Sequence, residues 1–179
     1  MDLRNKFTKE LVSTTLTRPR EEVEKFFKTM RQAWDSSEPC KQLRSTLVST
    51  KTPFEISKII GLTCAPIAYT HQERWSRRSA FQHALTLTLR DVLGKKNGNS
   101  DGIICYAQDP AYTKIDKSVL EGSGITVLDD PKAFLEVDDS TVVISCAADL
   151  PVKQIVSDLA RPAVMIWDRI YEDEPDVFG

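Results

Sequence analysis

Five short, β-rich apolar runs, each separated from the next by a stretch of helical spacing, constrain this 179-residue chain more than any other feature. The runs lie at Phe54–Ile60, Gly102–Ala107, Ile125–Leu128, Thr141–Cys146 and Ala163–Trp167. The second is apolar throughout, as expected of a strand buried on both faces. Strands joined by helical connections imply right-handed crossovers and therefore a parallel sheet, because a helix is needed to carry the chain back to the starting edge. The expected class is α/β: a three-layer, Rossmann-like domain with a mainly parallel five-stranded sheet in the order 3-2-1-4-5.

The connecting segments carry their own signals. Trp75 to Leu93 reads as a long helix with Phe81, Ala84, Leu85, Leu89 and Val92 inward and Gly94 opening its exit turn. Thr113 with Asp116 approaches a capping box for a helix Ile115–Glu121 that stops at Gly122 and Gly124. Asp130 is expected to cap a short helix with Pro131 in its first turn. Asp149 and Pro151 should start another, with Val152, Ile155, Val156 and Leu159 inward. Ahead of the sheet, Pro19 opens a helix with Val23, Phe26, Phe27, Met30 and Trp34 on one face. Ser36-Ser37-Glu38-Pro39 breaks it and starts a second through Leu43, Leu47 and Val48, ended by Thr52-Pro53. The expected organisation is thus a loose arm over 1–17, a helical extension over 18–53, the α/β domain over 54–170 and a mobile acidic tail over 171–179. The two N-terminal helices either cover the sheet or present Phe26, Phe27 and Trp34 to a second copy or a partner.

Charge narrows the function classes. A net charge of −2 gives no global attraction to nucleic acid or anionic membrane, and no apolar run reaches the length of a membrane helix. Met1–Lys6 lack the apolar core of a secretion signal, and Asp2 and Glu10 do not suit a mitochondrial presequence, so a cytoplasmic or nuclear location is expected. Cys40, Cys64, Cys105 and Cys146 form no C-x-x-C pair. Cys105 and Cys146 read as reduced thiols packed in the core. His71 and His83 add no finger-like metal spacing, and His83 has no marked partner.

Ligands of open parallel sheets bind beyond the carboxyl ends of the strands. That rule selects Gly61 and Thr63 after the first run, Asp109 after the second and Asp149 after the fourth. A dinucleotide loop needs three glycines, and Gly61 alone is present because Thr63 takes the second place. Asp109 reads as a turn initiator before Pro110 or as an acceptor for ligand hydroxyls. Asp149 reads as a helix N-cap or as an acid. Arg74, Arg77 and Arg78 cluster near a helix start, where they form a solvated entry or hold a phosphate or carboxylate. Arg77-Arg78-Ser79 also has the form of a kinase target. No catalytic set and no cofactor is assigned.

The segments Lys58–Leu62, Ser79–Leu85, Tyr106–Tyr112, Asp116–Glu121 and Gly124–Leu128 together resemble the Sensitivity to Red Light Reduced-like family over residues 54–168. The resemblance implies a regulatory protein, linked in that family to circadian timing, light signalling, heme metabolism and, in fungi, microtubule-related phenotypes. It implies a protein partner, with a small anionic ligand as the alternative, and a divergent, fungal-type member. Where the family carries proline-histidine-cysteine after the fourth strand, this chain reads Ser145-Cys146-Ala147-Ala148, so no histidine stands there for a heme or acid/base role.

Overall fold

Residues 17–50, 55–70, 73–96, 98, 102–146 and 148–168 are described by a computed structural model. The expected N-terminal arm up to residue 16, the Thr52-Pro53 stop, His71 and the acidic tail lie outside them. The sheet is built from β1 (Lys58–Leu62), β2 (Ile104–Gln108), β3 (Thr126–Val127), β4 (Thr141–Ser145) and β5 (Val164–Trp167). All pairings are parallel, and the order is β3-β2-β1-β4-β5. The helices are α1 (Arg20–Ser36), α2 (Glu38–Ser49), α3 (Glu73–Lys96), α4 (Lys114–Gly122), α5 (Lys132–Leu135) and α6 (Val152–Leu159).

Alternation along the strands divides the core into two. Ile59, Cys105, Val142 and Ile144 face a cluster with Val23 and Phe27 of α1, Leu87 and Leu89 of α3, and Val119 and Leu120 of α4. Ile60, Leu62 and Val143 face the other side, against Ala133 and Phe134 of α5 and Val152 and Val156 of α6. Each Ile or Val so buried contributes roughly 1.5–3 kcal/mol relative to exposure.

Local chemistry starts and stops several helices. The Ser37 side chain accepts from Cys40 N–H at 3.3 Å to cap α2. Thr113 and Asp116 form the reciprocal capping box of α4, and Gly124, with φ +83°, takes the left-handed turn after it.

Several details differ from the sequence expectations. β1 starts at Lys58, with residues 55–57 outside the strand and Phe54 outside the described residues, and runs on through Gly61 and Leu62, because pairing with β2 continues to Gly61↔Ala107 and Leu62↔Gln108. A side chain at Gly61 would meet Cys64 Sγ at 3.1 Å, so glycine here serves close packing. β2 is not buried throughout: Ile104, its first residue, is 49% exposed. Gly94 lies inside α3 rather than in its exit turn, and the helix ends at Lys96.

The α3 stripe is also broader than expected. Sandwiched between α1, α2 and the sheet, the helix buries Ser76, Ser79, Gln82, His83, Thr86 and Thr88 beside its apolar residues. Phe81 and Leu85, expected inward, are half-buried at its side. Leu159 is exposed at the end of α6. Asp130 does not cap α5: Pro131 holds the N-cap position with no side-chain bond, and Asp130 Oδ1 accepts from Gln108 Nε2 at 2.7 Å. Asp149 does not cap α6, where Pro151 takes that place without a side-chain bond.

Candidate functional site

The chain leaves β1 through two left-handed residues, Thr63 (φ 55°) and Ala65 (φ 62°). A β-branched residue in that region is strained, and the turn is held by bonds on every side. Thr63 N–H donates to Gln108 O at 2.9 Å. The Thr63 hydroxyl donates to Leu62 O at 2.6 Å and lies 3.0 Å from Ser145 Oγ. Ser79 Oγ, in the second turn of α3, donates to Ala65 O at 2.5 Å.

This twist leaves the N–H groups of Ala65, Ile67 and Ala68 in need of acceptors, the arrangement that in other parallel sheets cradles a phosphate. Here the chain's own carboxylates fill it. Asp109 Oδ2 accepts from Ala65 N–H at 2.8 Å, and its Oδ1 accepts from Ala111 N–H at 2.8 Å. Asp116 Oδ1 accepts from Ile67 and Ala68 at 2.8 and 2.9 Å. Its Oδ2 accepts from Thr113 N–H and Oγ1 at 2.9 and 2.7 Å. Asp116 is completely buried, and four donors stand in for the water its charge has lost. The space left between Thr63, Cys64, Ser79 and Cys146 is about 10 Å³, no more than one water needs.

Beneath this crest, His83 is fully buried. Its Nε2 is 3.1 Å from Tyr112 Oη, a partner the sequence does not mark, and Phe27 meets its ring edge-on. Its Nδ1 has no partner among the described residues. Burial pulls the His83 pKa down to about 3 and pushes the Tyr112 phenol well up, so both stay neutral. Burial likewise raises the thiols of Cys64 and Cys146 and takes Cys105 to about 11. At neutral pH none of these three is a thiolate nucleophile.

A second feature lies beside the crest. An open cleft of about 690 Å³ runs along the outer flank of the first half of α3. Arg74, Arg77 and Arg78 line one part of it, and Phe81, Leu85 and Trp34 the other, with Glu73, Cys146 and Asp168 at its border. Trp34 is fixed by its Nε1–H donating to Thr88 Oγ1 at 3.0 Å and leans on Phe81 with ring centroids 6.4 Å apart. Arg78 is engaged: its Nη2 is 2.7 Å from Asp168 Oδ1, and its guanidinium lies 5.9 Å from the Trp75 ring centroid. Arg74 and Arg77 are exposed and have no ion-pair partner among the described residues.

The residues selected from sequence therefore separate. Thr63 and Asp109 sit on the closed crest, with Gly61 inside the strand below it. Arg74 and Arg77 belong to the open cleft, and Arg78 lines both it and the small space at the crest. Asp149 is exposed and lines neither. Ser79, in the apparent kinase target, is completely buried and closed to modification in the folded chain. The sequence reading missed Asp116 as a clamp on the β1 loop. Its capping box explains the bonds to Thr113, and nothing local foretells those to Ile67 and Ala68. Among the described residues no cluster of His, Cys, Asp and Glu could hold a metal ion, and no helix is long and apolar enough to cross a membrane.

The fold and its self-filled crest define a parallel-sheet α/β protein whose loop after β1 is held by the chain's own carboxylates. The SRR1 domain profile matches residues 43–176, which is most of the chain. The chain belongs to the SRR1 domain family, in agreement with the resemblance seen in its strand and loop segments, and is a regulatory protein of that kind. No curated protein and no solved structure matches it.

Proposed function

We propose that this member of the SRR1 domain family regulates by engaging a partner rather than by transforming a substrate on its sheet. One observation carries the reading: Asp109 and Asp116 hold the amides of Ala65, Ile67 and Ala68 that a nucleotide phosphate would need. An incoming phosphate would have to displace two carboxylates and would meet their negative charge. Circadian timing, light signalling, heme metabolism and cytoskeletal control are the settings the family resemblance offers, and work in the cytoplasm or nucleus is what the sequence composition suits. A second reading, a small anionic ligand, is favoured by Arg74 and Arg77 at the cleft, which have no ion-pair partner among the described residues.

Thermal shift with ATP, NAD, S-adenosylmethionine and heme tests this, run on the native chain and on Asp109→Asn. A ligand at 100 times its dissociation constant would add about 2.7 kcal/mol. The expected result is no saturable shift from any of the four. Asp109→Asn should lower stability by roughly 1–3 kcal/mol, because its amide can turn only one acceptor toward the two N–H groups. A saturable shift that disappears in Asp109→Asn would overturn the partner reading.

A further inference from the structure

We propose that the cleft along α3 is a docking groove for a short acidic segment of a partner protein, with two adjacent carboxylates and a large apolar side chain close by. The inference rests on the partner reading above and names the partner's chemistry. On α3, Arg74, Arg77, Phe81 and Leu85 follow one another at three- and four-residue steps, so they form a single ridge. Its first half offers two guanidinium groups without ion-pair partners among the described residues. Its second half offers Phe81 and Leu85 beside Trp34. The Trp34 ring is already held by Thr88 and Phe81, so little side-chain freedom is lost when something packs on it.

Charge selects an acidic occupant. Three arginines line the groove against Glu73 and Asp168, and Asp168 is already paired with Arg78. The groove is thus locally positive on a chain whose net charge is −2. The positive end of the α3 dipole lies at the same end as Arg74. Shape selects a peptide over a small molecule. Small-ligand sites enclose most of their ligand, whereas this cleft is open along its length. From Arg74 to Leu85 the helix advances about 17 Å at 1.5 Å per residue, the span of about five extended residues. Arg77 and Phe81 are about 6 Å apart along the axis, so the apolar anchor falls about two residues from the acidic pair. Two arginines without ion-pair partners among the described residues are too few for a nucleic-acid track, which draws on several phosphate contacts at once.

Calorimetric titration of the full chain with the synthetic peptide Gly-Ser-Asp-Glu-Ser-Leu-Phe-Gly tests the assignment. Comparison peptides carry Asn-Gln in place of Asp-Glu, or Ala-Ala in place of Leu-Phe, and ATP serves as a small polyanion. Binding is expected for the first peptide alone. It should weaken several-fold as salt rises from 0.05 to 0.5 M, because the contacts are exposed to screening. Arg74→Ala with Arg77→Ala should weaken it roughly tenfold, while Lys153→Ala with Arg161→Ala, an equal charge loss on α6 and just after it, should not. Equal binding of the Asn-Gln peptide, or indifference to the α3 double variant, overturns the groove. ATP bound through the same two arginines as tightly as the peptide also overturns it, in favour of a small-anion site. A small ligand lost in Asp109→Asn but untouched by the arginine variant would instead sink the partner reading and leave the groove standing.

Discussion

The crest after β1 and the cleft along α3 are neighbours that treat charge in opposite ways. On the crest, two aspartates turn inward and their oxygens are consumed by backbone and hydroxyl donors of the same chain. In the cleft, two arginines face solvent with no partner among the described residues, over an apolar shelf of Trp34, Phe81 and Leu85. A buried charge that is satisfied serves stability, since its removal strands its donors. An exposed charge that is unsatisfied adds little to stability and remains open to recognition. The position where a parallel sheet usually binds its ligand is here part of the scaffold, and the free chemistry has moved one helix face away.

Substitution should separate the two regions. The largest effect is expected at Asp116, where alanine leaves the buried N–H groups of Ile67 and Ala68, and the half-buried one of Thr113, without their acceptor. A loss on the order of 3–5 kcal/mol follows from several stranded donors at about 1–3 kcal/mol each. Urea denaturation reads it directly, and a loss under 1 kcal/mol would mean that the crest is not the clamp described here.

A middle-sized effect belongs to His83 and depends on pH. Burial lowers its pKa from 6.5 to about 3 in the folded chain, while the unfolded chain takes up a proton near 6.5. The stabilising preference for the neutral ring is therefore fully present above pH 6.5 and is lost as pH falls toward 3. The slope is at most about 1.4 kcal/mol per pH unit. Asp138 does not act between pH 7 and pH 5: its bond to Lys58, with those to Ser140 and Thr141, holds its pKa below the usual 3.8, so its contribution is lost only as pH falls below that value. Between pH 7 and pH 5 the native chain should lose stability faster than His83→Leu, whatever the variant costs at pH 7. Identical slopes would remove His83 from the account.

The smallest effect is expected in the cleft wall. Arg78→Ala breaks a 2.7 Å ion pair whose partners are 38% and 40% exposed, and solvent screening limits its worth to about 0–1 kcal/mol. A thermal midpoint displaced as far as that of Asp116→Ala would erase the distinction between the two regions.

How much of this was legible in the sequence depends on the reach of each interaction. The two helices before the sheet, the Thr113 capping box and the turn at Gly124 were readable because their partners lie within a few residues. Strand order was readable because helical crossovers leave a parallel sheet few arrangements. The exposure of Ile104 was not, since an apolar run looks the same at the rim of a sheet as at its centre. Nor was the role of Phe81 and Leu85, because α1 and α2 cover α3 on faces that its own periodicity does not name.

Asp109 shows where the division falls. Its turn bond to Ala111, two residues on, belongs to the local pattern of an Asp-Pro turn. Its second oxygen meets Ala65, 44 residues earlier, because β1 and β2 are adjacent and in register. The amino-acid sequence alone thus determined the α/β class, the capping box of α4 and the family, but not the starts of α5 and α6, where Asp130 and Asp149 do not cap. The tertiary structure alone decided that the crest is filled by Asp109 and Asp116 and that Arg74 and Arg77 have no ion-pair partner among the described residues. The physical reason is range: hydrophobic periodicity and capping act within a few residues and leave a pattern in the chain. The pairing of a buried carboxylate with distant amides exists only once the strands that carry them lie side by side.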